Sequence, residues 1–280
     1  MRVFKTVELL QENLSFIDSR KTLGFVPTMG ALHKGHLSLI EKAKKENDLV
    51  LVSIFVNPTQ FDKPDDLITY PKTIEKDLDL LRSINCDIVF IPGVEDIYPK
   101  NVQSGSFDFE GLDTVMEGAF RAGHFDGVGT VVKRLFEITK PTRAYFGEKD
   151  FQQLQVIKKM VEKNHLPVQI IPCEIYREND GLAMSSRNTR LNQEQREEAP
   201  LIYQTLMACK KLFPERDIHF IKKMVENSFQ TNETLTLEYF EIADSKTLLS
   251  AKTKIPNVKY RGFIAVFAGK VRLIDNIALN

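Results

Sequence analysis

The stretch LGFVPTMGALHKGHLSLIEKAKKENDLVLVSIFV, Leu23 to Val56, decides the fold. Its apolar opening, Leu23–Val26, stops at Pro27 and reads as a strand. Small residues follow, Gly30, Ala31 and Gly35, with His33 and His36 among them. The spacing then predicts a helix over Leu37–Asn47, with Leu37, Ile40 and Ala43 on its apolar face. The β-branched run Leu49–Val56 predicts a second, fully buried strand. Strand, helix and strand in this order mark a parallel βαβ unit.

The alternation continues outward. Pro71 predicts the start of a helix that reaches Leu81, after a polar segment, Asn57–Tyr70, that breaks the pattern. Asp87–Ile91, Arg143–Phe146 and Val168–Ile171 read as strands, and Gly127–Thr139 and Gln152–Lys163 as helices. The expected class is α/β, a parallel sheet with helices on both faces. After Cys173 the character changes to α+β: helices over Asn192–Phe213 and Ile218–Gln230, then strands over Leu235–Ala243, Gly262–Phe267 and Val271–Ile274, with Lys246–Pro256 a helix or loop. A boundary near Tyr176 separates residues 1–175 from 176–280.

Bulk composition narrows the partners. The 280 residues carry 38 Lys+Arg and 38 Asp+Glu, so the chain has no long-range pull toward nucleic acid or an anionic membrane. Cys86, Cys173 and Cys209 are few and far apart, which suits a reducing compartment rather than a disulfide framework. The opening MRVFKTVELLQENL mixes charged and apolar residues and does not read as a signal peptide. No apolar run approaches the ~18 residues of a membrane span.

Ligands of parallel sheets bind outside the carboxyl ends of the strands. Three polar loops are expected there: the His turn, Asn57–Phe61 and Phe146–Asp150. In the first, small residues before a helix offer backbone N–H groups to an anion, and imidazoles can donate to phosphate oxygens. His33 and His36 also fit a metal site at i, i+3 spacing, or structural histidines satisfied within the protein. In GEKDFQQLQVI, Gly147 to Ile157, Lys149 can reach phosphates, Asp150 can hold Mg²⁺ or cap the helix, and Gln153 lies one helical turn beyond Lys149. DGLAMSSRNTRL, Asp180 to Leu191, offers Ser185, Ser186 and Arg187 to a triphosphate, or is a linker with a helix cap. The amides Asn57 and Gln60 can hold a small hydroxylated or carboxylated molecule, or merely form a turn. Arg121, with Glu117 and His124, precedes a helix in a segment that reads as a lid near an anionic substrate. The Gly127-Val128-Gly129 there is followed by Thr-Val-Val, so the dinucleotide fingerprint is incomplete.

Taken together these motifs resemble a known family. His33-Lys34-Gly35-His36 resembles the HIGH motif of the nucleotidyltransferase superfamily, and Met184-Ser185-Ser186-Arg187 its KMSKS-type loop. More narrowly, PTMGALHKGH, FVNPTQF, EGAFRAGHFDGV, YFGEKDFQQ and DGLAMSSRN, in this order over nearly the whole chain, are similar to the pantothenate synthetase (pantoate–β-alanine ligase) family. The resemblance implies a Rossmann-like N-terminal domain and a small C-terminal lid domain. It implies two steps, in which ATP and pantoate give pantoyl adenylate with Mg²⁺, and β-alanine then displaces AMP. It places Met29, Gly30, Ala31, Leu32, His33, Lys34, Gly35 and His36 at ATP, with His33 and His36 on the phosphates and His36 as proton donor. Gly147, Glu148, Lys149 and Asp150, with Met184, Ser185, Ser186 and Arg187, complete the nucleotide site, and Gln60 and Gln153 hold pantoate. It also implies a cytoplasmic homodimer. One position departs: the family carries a small aliphatic residue where this chain has Tyr176, at the ATP site. A backbone contact there would leave binding unchanged, and a side-chain contact would alter stacking on adenine. Another nucleotidyltransferase, or a nucleotide-binding regulatory module, shares several of these features.

Overall fold

The computed structural model describes residues 1–61 and 67–280; part of the expected polar segment Asn57–Tyr70 lies outside the described residues. The strands of the first sheet are β1 (Arg2–Phe4), β2 (Leu23–Thr28), β3 (Leu49–Ile54), β4 (Ile88–Phe90), β5 (Arg143–Gly147) and β6 (Gln169–Cys173). They run parallel in the order β1-β4-β3-β2-β5-β6. Between them lie helices α1 (Val7–Ser15), α2 (Lys34–Glu46), α3 (Ile74–Ser83), α4 (Val94–Ile97), α5 (Glu117–Phe120), α6 (His124–Thr139) and α7 (Phe151–Lys163). This is the expected Rossmann-like α/β architecture.

The strand order positions the site. From β2 the chain works outward through β3 to β4, then returns to place β5 on the other side of β2. The sheet therefore reverses its winding direction between β2 and β5, where such sheets open a crevice for ligands. Leu51 and Val52 in β3 and Phe25 and Val26 in β2 are completely buried, each contributing about 1.5–3 kcal/mol by leaving water. Ile40 and Ala43 of α2 pack into one core with Val26, Val52, Val89 and Tyr145.

Several boundaries differ from expectation. β2 continues through Pro27 to Thr28; the β5 ladder ends at Phe25, so a residue without an N–H is tolerated there. Helix α2 starts at Lys34 rather than Leu37, because His33 caps it. Pro71 does not open α3, which begins three residues later behind Thr73. The short strand β1, paired along Arg2–Phe4 with β4, was hidden by charges at both of its ends.

A second sheet holds β7 (Leu235–Asp244), β8 (Tyr260–Ala268) and β9 (Val271–Ala278), antiparallel in that order. Helices α8 (Gln193–Glu198), α9 (Leu201–Leu212) and α10 (Ile218–Gln230) precede it. The single helix expected over Asn192–Phe213 is two, broken at Ala199-Pro200, where proline removes a backbone donor. Lys246–Pro256 is irregular. Ile202, Leu206, Ile221, Val225, Ile242 and Ile264 form the core of this part.

The described chain divides into two compact units, Met1–Glu148 with Gln153–Glu174, and Lys149–Gln152 with Ile175–Asn280. The second thus takes four residues from the junction of β5 and α7. No helix among the described residues is long and apolar enough to cross a membrane.

Candidate active site

In the first unit, the turn after β2 is built around a buried carboxylate. Gly30 (φ 82°) and Ala31 (φ 50°) are consecutive left-handed residues. That bend aims the N–H of Ala31 and of Leu32 at Asp77 of α3, at 3.0 and 2.8 Å. Thr73 donates to both oxygens of the same carboxylate at 3.2 Å. Asp77 is 1% exposed. Gly30 N–H donates to Thr28 Oγ1.

The two histidines complete the turn. His33 Nδ1 accepts from the Gly35 N–H at 3.2 Å, and His36 Nδ1 accepts from the His33 N–H at 3.3 Å. This is a reciprocal capping box with imidazoles in place of the usual hydroxyl and carboxyl groups. The rings lie 4.0 Å apart, tilted by 35°. A neutral imidazole whose Nδ1 accepts carries its proton on Nε2, so each ring has its donor there. The structure corrects the expectation that backbone N–H groups of this turn await an anion: those of residues 30–33 and 35 are bonded within the protein, and each imidazole carries its N–H at Nε2.

A second cluster surrounds Gln60, in the 3₁₀ turn Pro58–Gln60 that follows β3. Asn57, expected to contact substrate, is 1% exposed and fully engaged with protein. Its Nδ2 donates to Gln60 Oε1 (3.1 Å) and Gly127 O (3.2 Å), and its Oδ1 accepts from Tyr98 OH (2.6 Å) and Thr59. Burial pushes the Tyr98 hydroxyl up from its ordinary pKa. Asn57 therefore positions Gln60, whose Nε2 in turn donates to Met29 Sδ at 3.1 Å.

Arg121, expected beside an anionic substrate, lies on the same turn. It donates to Gln60 O and to His124 Nε2, both at 3.2 Å, while His124 Nδ1 donates to Gln60 O at 2.8 Å. A carbonyl only accepts, so His124 has its proton on Nδ1 and is a neutral acceptor toward Arg121. The Gly-x-Gly of α6 is also explained. A Cβ on Gly127 would stand 2.4 Å from Thr59 O and 2.9 Å from Gln60 N, so only glycine lets the helix approach the Gln60 turn.

In the second unit, Lys149, Ser185, Arg187, Asn188, Arg272 and Asp275 line one pocket. Lys149 is in a 3₁₀ turn, Glu148–Asp150, ahead of α7, so the helical spacing argued for Lys149 and Gln153 does not apply. Its Nζ is 3.6 Å from Asp150 Oδ1, and Asp150 is half exposed. Ser185 Oγ accepts from Arg187 N–H at 3.2 Å and caps the turn Ser186–Arg190. Tyr176 meets this loop through its backbone, its carbonyl accepting from Met184 N–H at 3.0 Å. The Tyr176–Met184 hairpin turns at Gly181 (φ 92°) and is anchored by Arg177. That guanidinium grips Asp275 at 2.6 and 3.0 Å, donates to Gly181 O at 3.0 Å and stacks 4.0 Å over Tyr203. Burial pushes the Asp275 carboxyl up, against the pull of Arg177.

Comparison with known proteins gives the family of the whole chain. A model of the family described as pantoate-beta-alanine ligase matches residues 2–278. The chain belongs to the pantoate-beta-alanine ligase family. It is 54% identical over 282 residues to a pantothenate synthetase of Christiangramia forsetii, covering 100% of both chains. It is 47% identical over 278 residues to one of Bacteroides fragilis, covering 99% of this chain and 98% of that one. Among solved structures, pantothenate synthetase from Thermus thermophilus gives a TM-score of 0.92 at 40% identity, covering 100% of this chain and 99% of that one. The pantoate-beta-alanine ligase of Francisella tularensis, complexed with beta-gamma ATP and beta-alanine, gives 0.81 at 37% identity, covering 100% and 98%.

Against this pantoate-beta-alanine ligase background, Asp77, Arg177 and Asp275 were missed from the sequence. Their partners lie far along the chain or look like ordinary loop residues. No three His, Cys, Asp or Glu side chains gather into a metal-binding group among the described residues, so His33 and His36 have no third ligand of that kind. All three thiols are buried. Burial pushes Cys86 and Cys173 up to about 11 and Cys209 to about 12, which suits chemistry without a cysteine nucleophile.

Proposed function

We infer that this chain catalyses the ATP-dependent condensation of pantoate with β-alanine to pantothenate. The observation that carries the mechanism is the histidine capping box, which orients two Nε2–H donors at the N-terminus of α2. In the first step a pantoate carboxylate oxygen attacks the α-phosphorus of ATP, and the bond to pyrophosphate breaks. Charge grows on the phosphate oxygens, and donors fixed beforehand stabilise it without reorganising. His36 and His33 supply those donors, and Lys149 offsets charge on the departing pyrophosphate. Met29, Gly30, Ala31, Leu32, Lys34 and Gly35 line the nucleotide, with Gly147, Glu148, Met184, Ser185, Ser186 and Arg187. The Tyr176 carbonyl, already bonded to Met184, keeps the adenine end of that loop in register.

Gln60 and Gln153 hold pantoate, and Asn57 and Arg121 keep Gln60 in place. Mg²⁺ accompanies the triphosphate, with the exposed carboxylate of Asp150 as the protein group suited to it. In the second step the β-alanine amine attacks the acyl carbonyl next to Gln60, AMP leaves, and the amine nitrogen gives up a proton. Positioning suffices for both steps. Residues 1–175 serve nucleotide and pantoate, and 176–280 form the lid domain. The chain works as a cytoplasmic homodimer.

The test is AMP formation with ATP, Mg²⁺ and pantoate, with and without β-alanine. AMP turnover only when both are present is the expected result. Pyrophosphate released without AMP turnover, whatever amine is offered, overturns it.

A further inference from the structure

Lys149 is held by a residue from the far end of the second unit. Asn276 of β9 is 1% exposed. Its Nδ2 donates to the Lys149 carbonyl at 2.9 Å, and its Oδ1 accepts from Arg261 Nη1. The carbonyl needs a donor and the guanidinium an acceptor, so only one orientation of the amide satisfies both. Arg261 continues the contact: its guanidinium lies 3.9 Å from the centroid of Phe151, the first residue of α7, which also packs on Phe263. The Lys149–Phe151 segment is thus gripped at its backbone and at its ring by one amide–guanidinium pair. The neighbouring residue, Asp275, holds Arg177 and with it the hairpin leading to Met184–Arg187. Successive strand residues point to opposite faces, so a single dipeptide serves both segments.

We propose that Asn276 is a positioning residue for adenylation, fixing where the Lys149 ammonium meets the phosphates. The proposal rests on the reading of Lys149 as a phosphate ligand. The amide itself is required. Aspartate keeps the acceptor for Arg261 but sets a carboxylate oxygen against the Lys149 carbonyl.

The two half-reactions separate this role from plain stability. Adenylation is followed as pantoate-dependent exchange of pyrophosphate into ATP, and the second step as aminolysis by β-alanine of pantoyl adenylate supplied directly. N276D is expected to slow exchange by about 10- to 100-fold, the scale of a misplaced catalytic group. Aminolysis is expected to stay within about threefold of the unsubstituted enzyme, since positioning of the phosphates matters little once pyrophosphate has left. Combined with K149A, N276D should add nothing further, because both act through one ammonium. K149A impaired with N276D unimpaired overturns the proposal alone. Both half-reactions falling together with the unfolding midpoint also overturns it and makes Asn276 a stability residue. Unchanged exchange in K149A overturns the reading of Lys149, and the proposal with it. Should N276D not fold, N276A, which removes the donor to the Lys149 carbonyl without setting a carboxylate against it, is measured against the same outcomes.

Discussion

The His33–His36 turn and the Ser185–Arg187 loop are both short polar segments proposed to meet phosphate, yet they are held in different ways. The histidines cap their own helix, with bonds spanning two and three residues. The serine loop and Lys149 depend on Arg177–Asp275 and Asn276–Lys149, pairs 98 and 127 residues apart. A turn closed by local bonds keeps its shape whenever its helix forms. A loop closed by distant partners keeps its shape only while the whole second unit is packed.

The comparison breaks most visibly at Arg177. Arg177→Ala leaves Asp275 buried beside no guanidinium, and removing one partner of such a pair costs about 3–5 kcal/mol. Urea unfolding should show that loss, with ATP binding weakened in the folded fraction. Near-normal stability would mean that other contacts hold the hairpin. His36 sharpens the other side. His36→Ala removes both the cap and the donor, so adenylation should fall ~10²-fold or more, with about 1 kcal/mol of stability lost. His36→Asn keeps an acceptor at the δ position but has no Nε2. It should restore most of the stability and none of the rate; a restored rate would show that Nε2 is not the acting atom. The smallest effect is expected at Gly127→Ala, where a Cβ meets backbone of the Gln60 turn. Overpacking of this kind costs about 1–3 kcal/mol. The KM for pantoate should rise more than that for ATP, and equal changes would uncouple Gly127 from Gln60.

The same contrast explains what could be read before the structure. The βαβ alternation was legible because hydrophobic periodicity reports burial directly, and β2, α2 and β3 follow it closely. The histidines were legible as a site because a glycine-rich strand–helix turn is local. Their tautomers were not, since these depend on which amide each Nδ1 meets. Asp77 reads as one more acidic residue on an amphipathic helix until α3 brings it under Ala31 and Leu32. Asn57 was misread because an amide after a buried strand looks the same whether it faces a ligand or Tyr98. Asp275 and Asn276 sit in an apolar strand at the far end, with nothing nearby to suggest Arg177 or Lys149.

The capping box has a consequence for charge. Each Nδ1 is occupied as an acceptor, so a proton placed there would set donor against donor and uncap the helix. Two imidazolium rings 4.0 Å apart would also repel each other. The helix start and the unprotonated Nδ1 of each ring are therefore one condition. In the proposed reaction the turn would meet a triphosphate with dipoles, and fixed positive charge would be left to lysine and arginine elsewhere.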